Sequence, residues 1–319
     1  MNLQTKIPLQ RQRFNQIDYN SKVLLLGSCF SENIGNKFNY FKFQTLRNPF
    51  GILFQPLAIE HLITNAVNKK EYSTEDIFLH NEHYHCFDAH SKLSHSNADE
   101  LLSRINKSIK QTHRFLKEAS HIIITLGTAW AYRYIETDSF VANCHKILQK
   151  KFLKELLSVE EVAQSLEAIV SLVKSLNPDV NFIFTVSPVR HIKDGFVENT
   201  QSKSHLISAI HEFLGSQSES NHSYFPSFEI VMDELRDYRF YNEDMLHPNQ
   251  TAINYIWEKF VSVWINSEAQ NVMEEVENIQ KGLAHKPFNP NSETHQKFIQ
   301  NLVTKSSNLN AKVGRLIFE

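Results

Sequence analysis

The chain alternates short apolar runs with longer stretches in which apolar positions recur every three or four residues. Val23-Leu24-Leu25-Leu26, His121-Ile122-Ile123-Ile124-Thr125-Leu126 and Asn181-Phe182-Ile183-Phe184-Thr185-Val186 are strand-length and apolar on both faces. That is the pattern of parallel strands covered on both sides. Phe228-Glu229-Ile230-Val231-Met232 reads as a fourth, shorter strand. Helical spacing predicts helices over 31–40, from Pro56 through Ile63, over 98–119, over 203–214 and over 249–264. A capping box, Ser158-Val159-Glu160-Glu161, opens another that runs to about Leu176. On 98–119 the stripe is Leu101, Leu102, Ile105, Ile109, His113 and Leu116; on 249–264 it is Ile253, Ile256, Trp257, Phe260 and Trp264.

Strands separated by helices predict an α/β protein with a mostly parallel sheet and helices on both faces. The strands end in Gly27-Ser28, Gly127-Thr128 and Ser187-Pro188. In a parallel sheet these ends share one edge, where α/β proteins place their chemistry. The expected organisation is a polar lead-in over 1–20, an α/β domain over 21–266, and a helical or irregular extension over 267–319, punctuated by Pro287 and Pro290. Residues 72–97 read as irregular and rich in histidine.

Composition excludes several classes. With 33 Lys+Arg against 35 Asp+Glu the formal charge is −2, so no basic excess points to nucleic acid. Eight glycines leave little material for a glycine-rich dinucleotide loop, and no cofactor is expected. Three cysteines, Cys29, Cys86 and Cys144, are too few and too odd in number for a disulfide framework. The first residues lack the basic-then-apolar order of a secretory signal. No apolar run reaches the ~18 residues of a membrane span. The expectation is a cytoplasmic location with no membrane span.

The candidate chemistry starts at Ser28, a hydroxyl at a strand–turn–helix junction. A serine there is either a helix cap or a nucleophile beside the N–H groups of the helix start. A nucleophile needs a base and a group that orients it. Asp244 and His247, three positions apart just before Pro248 and a helix, supply both. Oxyanion donors are sought at the Ser28 N–H, the Gly51 N–H, the Asn48 side chain and Thr128 beside Gly127. His145 is a candidate for lining the site. Arg190-His191 and Lys203 are candidates for holding an anionic substrate group, against the plainer reading of surface ion pairs. Cys29 reads as a packed residue, with a thiol nucleophile as the lesser alternative. Five histidines between His80 and His95, with Glu82, Cys86 and Asp88, match no closed zinc spacing. They read as a polar flap or plain surface, and no metal is expected.

The order of these motifs resembles the GSCFA-domain family of the SGNH/GDSL hydrolase superfamily. The resemblance rests on Gly27-Ser28-Cys29-Phe30-Ser31, Gly127-Thr128-Ala129-Trp130, Asn143-Cys144-His145-Lys146, Val186-Ser187-Pro188-Val189-Arg190-His191, Tyr224-Phe225-Pro226-Ser227 and Asp244-Met245-Leu246-His247-Pro248. It spans roughly residues 20–262. It implies a three-layer, flavodoxin-like α/β fold and ester hydrolysis, with Ser28 as nucleophile, His247 as base and Asp244 orienting it. It also places His90 near the site. Two departures stand out. Gly27 is followed directly by Ser28 where the superfamily has Gly-Asp-Ser, and Ala129 stands where the superfamily carries an oxyanion asparagine. Asn48, Thr128 or Asn143 is left to replace that donor.

The expectation is therefore a serine hydrolase of an acyl ester, with an acylated carbohydrate or another small acyl ester as its partner. The alternatives are an acyltransferase, or a non-hydrolytic protein holding an anion at the helix after Ser28 with Arg190 and Lys203.

Overall fold

The three doubly apolar runs form the centre of a five-stranded sheet, in a computed structural model that describes residues 4–217 and 221–318. The sheet contains β1 (Lys22–Gly27), β2 (Gln44–Arg47), β5 (His121–Leu126), β9 (Asn181–Val186) and β10 (His222–Tyr224). Its order is β10-β9-β5-β1-β2 and every neighbouring pair is parallel. Counted along the chain, that is the flavodoxin-like arrangement, which reverses direction at β1 and leaves a crevice at the carboxyl ends of β1 and β5.

Side-chain alternation along each strand divides the interior into two cores. Leu24, Leu26, Ile122, Ile124, Phe182 and Phe184 face α2 (Pro56–Val67), α3 (Ala98–Glu118), α4 (Val159–Lys174) and α5 (Phe196–Ser216). Val23, Leu25, Ile123 and Ile183 face α1 (Cys29–Tyr40) and α7 (Gln250–Trp264). The predicted three layers are present.

Two small sheets interrupt the alternation. β3 (Phe78–His80) and β4 (His83–His85) make a hairpin inside the stretch expected to be irregular. Its two-residue turn, Asn81-Glu82, has positive φ at both positions, as such a tight turn requires. β6 (Trp130–Tyr134), β7 (Ser139–Val141) and β8 (Phe152–Leu156) form an antiparallel sheet between β5 and α4.

The expected strand over 228–232 is helical instead. A short helix, α6 (Ser227–Glu229), continues as a π-helical turn over Ile230–Glu234, and the fifth strand of the sheet is β10 just before it. Ile230, Val231, Glu234 and Leu235 are buried, which is a helix period; a five-residue apolar run fits either state. Ser227 fixes the change of direction, its Oγ donating to Val186 O at 2.8 Å.

The ends of the chain join the second core. Ile17 is fully buried and bridges Ile265, so the lead-in docks beside the end of α7. The extension forms α8 (Ser267–Leu283) and α9 (Glu293–Val313). Val272, Met273, Val276 and Leu309 pack with α7 in the second core. No helix among the described residues is long and apolar enough to cross a membrane.

Candidate active site

Gly27 ends β1 with φ +131°, and a Cβ there would lie 2.1 Å from Thr125 O. Only glycine lets the chain leave the strand so close to β5. Ser28 follows, wholly buried, as the N-cap of α1. Its N–H donates to Thr125 O at 3.0 Å and its Oγ accepts from the Phe30 N–H at 3.3 Å. The structure thus shows the capping role. Ser28 Oγ makes no hydrogen bond to His247 among the described residues.

Asp244 and His247 are brought together as the spacing predicts. Met245 turns the chain at φ +58°. Asp244 Oδ1 accepts the Leu246 and His247 N–H groups at 2.8 and 3.0 Å. Its Oδ2 accepts from His247 Nδ1 at 2.6 Å. Those two backbone donors, with the ring, hold the carboxyl down at about 2. Both side chains are partly exposed.

Arg190 ties this loop to the sheet. Its N–H donates to Leu246 O at 3.2 Å. Its guanidinium lies over the Tyr238 and Tyr241 rings, 5.1 and 4.4 Å from their centroids. Its visible role is to support the Asp244–His247 loop.

The expected oxyanion donors divide sharply. The Ser28 N–H is engaged with Thr125 O, and the Gly51 N–H donates to Asn48 O at 2.8 Å. The Gly127 and Thr128 N–H groups both donate to Phe54 O, at 2.8 and 3.1 Å. Thr128 Oγ1 accepts from the Trp130 N–H and pairs with Ser202 Oγ. Asn48 differs. It sits at φ +38°, and its Oδ1 accepts the Gly27 N–H at 2.9 Å, while its Nδ2 is buried with no partner. Asn143 lines the neighbouring cavity.

Lys203 corrects an expectation. It is fully buried, and its Nζ donates to Gly127 O at 2.6 Å and Ser187 O at 2.7 Å. Burial pulls it down to about 7. Its ammonium holds strand ends together and does not face an anionic ligand.

His145 is buried at φ +48°, with Nε2 donating to Cys86 O at 2.8 Å and Nδ1 unpartnered. Burial lowers it to about 4. His90 packs on Gly51, where a Cβ would come within 2.4 Å of the His90 Cβ. Its Nδ1 accepts the Lys92 N–H at 3.2 Å. His85 is engaged at both ring nitrogens, with Ser94 Oγ and His80 O. No group of three or more potential metal ligands is assembled among the described residues. Burial raises the Cys29 thiol, which disfavours the thiolate a cysteine nucleophile needs.

A cavity of about 420 Å³ opens beside Thr128. Phe54, Trp130 and Tyr132 form aromatic walls, and Gln55, His145 and His191 bring polar atoms. Gln55 is 5% exposed, yet neither its Oε1 nor its Nε2 has a partner. The small β6-β7-β8 sheet supplies Trp130 and Tyr132.

A model of the GSCFA family matches residues 22–260. The chain belongs to the GSCFA family. A second model, the C-terminal domain of GSCFA domain proteins, matches residues 276–318 of this GSCFA protein. No curated protein matches it. Among solved structures it is similar to a carbohydrate esterase family 3 structure from Talaromyces cellulolyticus, at 8% identity and TM-score 0.36, covering 81% of this chain and 99% of that one. It is also similar to a mutant acetyl esterase solved with an acetate ion, at 9% and 0.37, covering 80% and 99%. A third is the acetyl xylan esterase Est2A from the rumen bacterium Butyrivibrio proteoclasticus, at 9% and 0.38, covering 76% and 63%.

The sequence does not single out Gln55 for the candidate site, and it offers His191 only beside Arg190 as a holder of an anionic group. Gln55 reads in the sequence as an ordinary residue before a helix. His191 reads as a companion of Arg190, but its ring lies edge-on to Phe54, 5.6 Å between centroids, with Nε2 buried and unpartnered. Two imidazoles, each with a buried unpartnered nitrogen, and a buried amide around one cavity are the signal that only the fold assembles.

Proposed function

We propose that this GSCFA protein is a serine ester hydrolase. The observation that carries the reading is the Asp244–His247 pair, joined at 2.6 Å on a loop anchored to Arg190 beyond β9, at the sheet edge where Ser28 follows β1. Ser28 Oγ attacks the ester carbonyl carbon while His247 Nε2 takes its proton. His247 returns that proton to the departing alcohol oxygen, leaving an acyl-Ser28, and water repeats the sequence to release the acid. Asp244 fixes the ring so that Nε2 is the acceptor and balances the imidazolium charge.

Attack requires Ser28 Oγ to leave the Phe30 N–H, a neutral hydrogen bond worth about 1 kcal/mol. Catalytic contacts that are loose without substrate commonly tighten when it binds. Asn48 Nδ2 supports one oxyanion contact. The aromatic-walled cavity with the free Gln55 amide suits a hydroxyl-rich alcohol portion, so an acylated carbohydrate is the proposed substrate class.

The test is turnover of p-nitrophenyl acetate and peracetylated sugars by the wild-type chain and by Ser28→Ala. Acid release by the wild type and none by the folded variant support the reading; equal rates overturn it. The capped Ser28 favours a second reading, a non-hydrolytic binding protein, which predicts saturable binding without release of acid. An acyltransferase would show transfer to an added alcohol exceeding hydrolysis.

A further inference from the structure

We propose that His191 is the second oxyanion donor, its Nε2–H acting with Asn48 Nδ2 in the place left by Ala129; the inference rests on the hydrolase reading. An ester attacked at Ser28 develops negative charge on its carbonyl oxygen, and removing one aligned donor typically costs ~10²–10³ in rate. The Ala129 side chain cannot donate, and its N–H is already bonded to Ser202 Oγ at 2.7 Å. Several buried polar atoms here are unpartnered, Gln55 Nε2 and Ser31 Oγ among them; of these, Asn48 is tied to the Ser28 turn through the Gly27 N–H and His191 Nε2 through the space over Gly127. A buried polar atom left unpaired costs about 1–3 kcal/mol, and at the edge beside Ser28 a reacting oxygen is one partner that would satisfy it.

The position fits. The point where a Gly127 Cβ would stand lies 3.3 Å from His191 Nε2 and 3.3 Å from the Ser28 Cβ. His191 Nε2 and Ser28 therefore flank the same space, separated by at most twice that distance. Gly127 keeps the space open because it has no side chain. The imidazole is held before substrate arrives: the His191 N–H donates to Asn199 Oδ1 at 2.8 Å, and the ring packs edge-on against Phe54. Asn199 and Lys203 both lie on α5, so one helix sets the histidine and the strand ends it overlooks.

The protonation state agrees. Burial first, then the nearby Lys203 and His247 charges, pushes His191 down to about 3. The ring is neutral across the working range. A neutral imidazole with one N–H is a competent electrophile toward a carbonyl oxygen, and such a weak base is poorly matched to deprotonating a serine. The two histidines thus divide the work: His247 moves protons and His191 stabilises charge.

The experiment compares wild type, His191→Met and His191→Gln in p-nitrophenyl acetate turnover, with fluorophosphonate labelling of Ser28 as a second readout. Met removes the donor and adapts its shape to a core site; Gln carries an amide N–H to nearly the same reach but cannot act as a base at neutral pH. The expected result is a fall in kcat of about 10²–10³ for His191→Met with KM within a few-fold. His191→Gln is expected within about tenfold of wild type and with an unchanged pH midpoint. A wild-type rate in His191→Met, or a folded His191→Gln as inactive as His191→Met, overturns the assignment. If His191→Met shows no melting transition, the labelling rate of His191→Gln decides, with a loss of about a thousandfold counting against it. Wild-type protein without any turnover overturns the hydrolase reading and this one with it; wild-type turnover with an unaffected His191→Met overturns this one alone.

Discussion

The Lys203 ammonium lies 2.6 Å from the Gly127 carbonyl oxygen and, through Ser187 O, joins the carboxyl ends of β5 and β9. A fully buried amino group therefore sits at the sheet edge that carries Ser28. Its neighbours Gly127 and Ser187 flank the turns from which His191 and Thr128 emerge.

That burial gives Lys203 a pH signature. Folding pulls its pKa from 10.5 to about 7. Between those values the unfolded chain holds a proton that the folded chain has released, so stability rises with pH across that window. In Lys203→Met this slope disappears, and the two carbonyls lose a donor at about 1–3 kcal/mol each. Melting curves should show a deficit in the variant that widens from pH 7 to pH 10. A constant deficit would contradict the assignment.

Asp244→Asn tests the orientation of His247. The carboxyl is held at about 2, chiefly by the His247 and Leu246 N–H groups, so Asp244 is ionised throughout the working range and contributes no acid limb of its own. An amide that presents its NH2 to Nδ1 selects the wrong tautomer. Ester turnover should fall by roughly 10⁴ in kcat with little change in KM, and the melting temperature should fall only slightly because the amide oxygen can still accept the Leu246 and His247 N–H groups. A loss below tenfold would mean that the pair does not act as drawn.

Gly27→Ala tests the turn itself. With φ +131° and a contact of 2.1 Å to the Thr125 backbone oxygen, a methyl group forces β1 and β5 apart. A cost of at least about 3 kcal/mol is expected from backbone strain and overpacking together, read as a lower urea midpoint. An unchanged midpoint would show that the strand end moves freely.

Much of this was legible in the residues. The central strands are apolar on both faces, and that alone places them between two helical layers. The edges were not legible. β2, Gln44-Thr45-Leu46-Arg47, has one apolar residue in four, because an edge strand with a half-exposed face needs no apolar run. Asp244 and His247 were readable because their pairing is local, closed within one turn. His191 was readable only as a companion of Arg190 for an anion, because the role proposed for it depends on Gly127, 64 positions earlier, lacking a side chain. Lys203 misled for a similar reason. A lysine on a helix normally reaches water, and only packing reveals that its ammonium meets two carbonyls.

The central claim is that Ser28 is a nucleophile as well as a helix cap. It is tested most directly by treating the intact chain with a fluorophosphonate probe and locating the adduct by peptide mass spectrometry. The account predicts one covalent phosphonyl adduct on Ser28, absent in Ser28→Ala and slowed in His247→Ala. An unlabelled Ser28 in a protein that retains its melting transition, or an adduct elsewhere that survives Ser28→Ala, would contradict it.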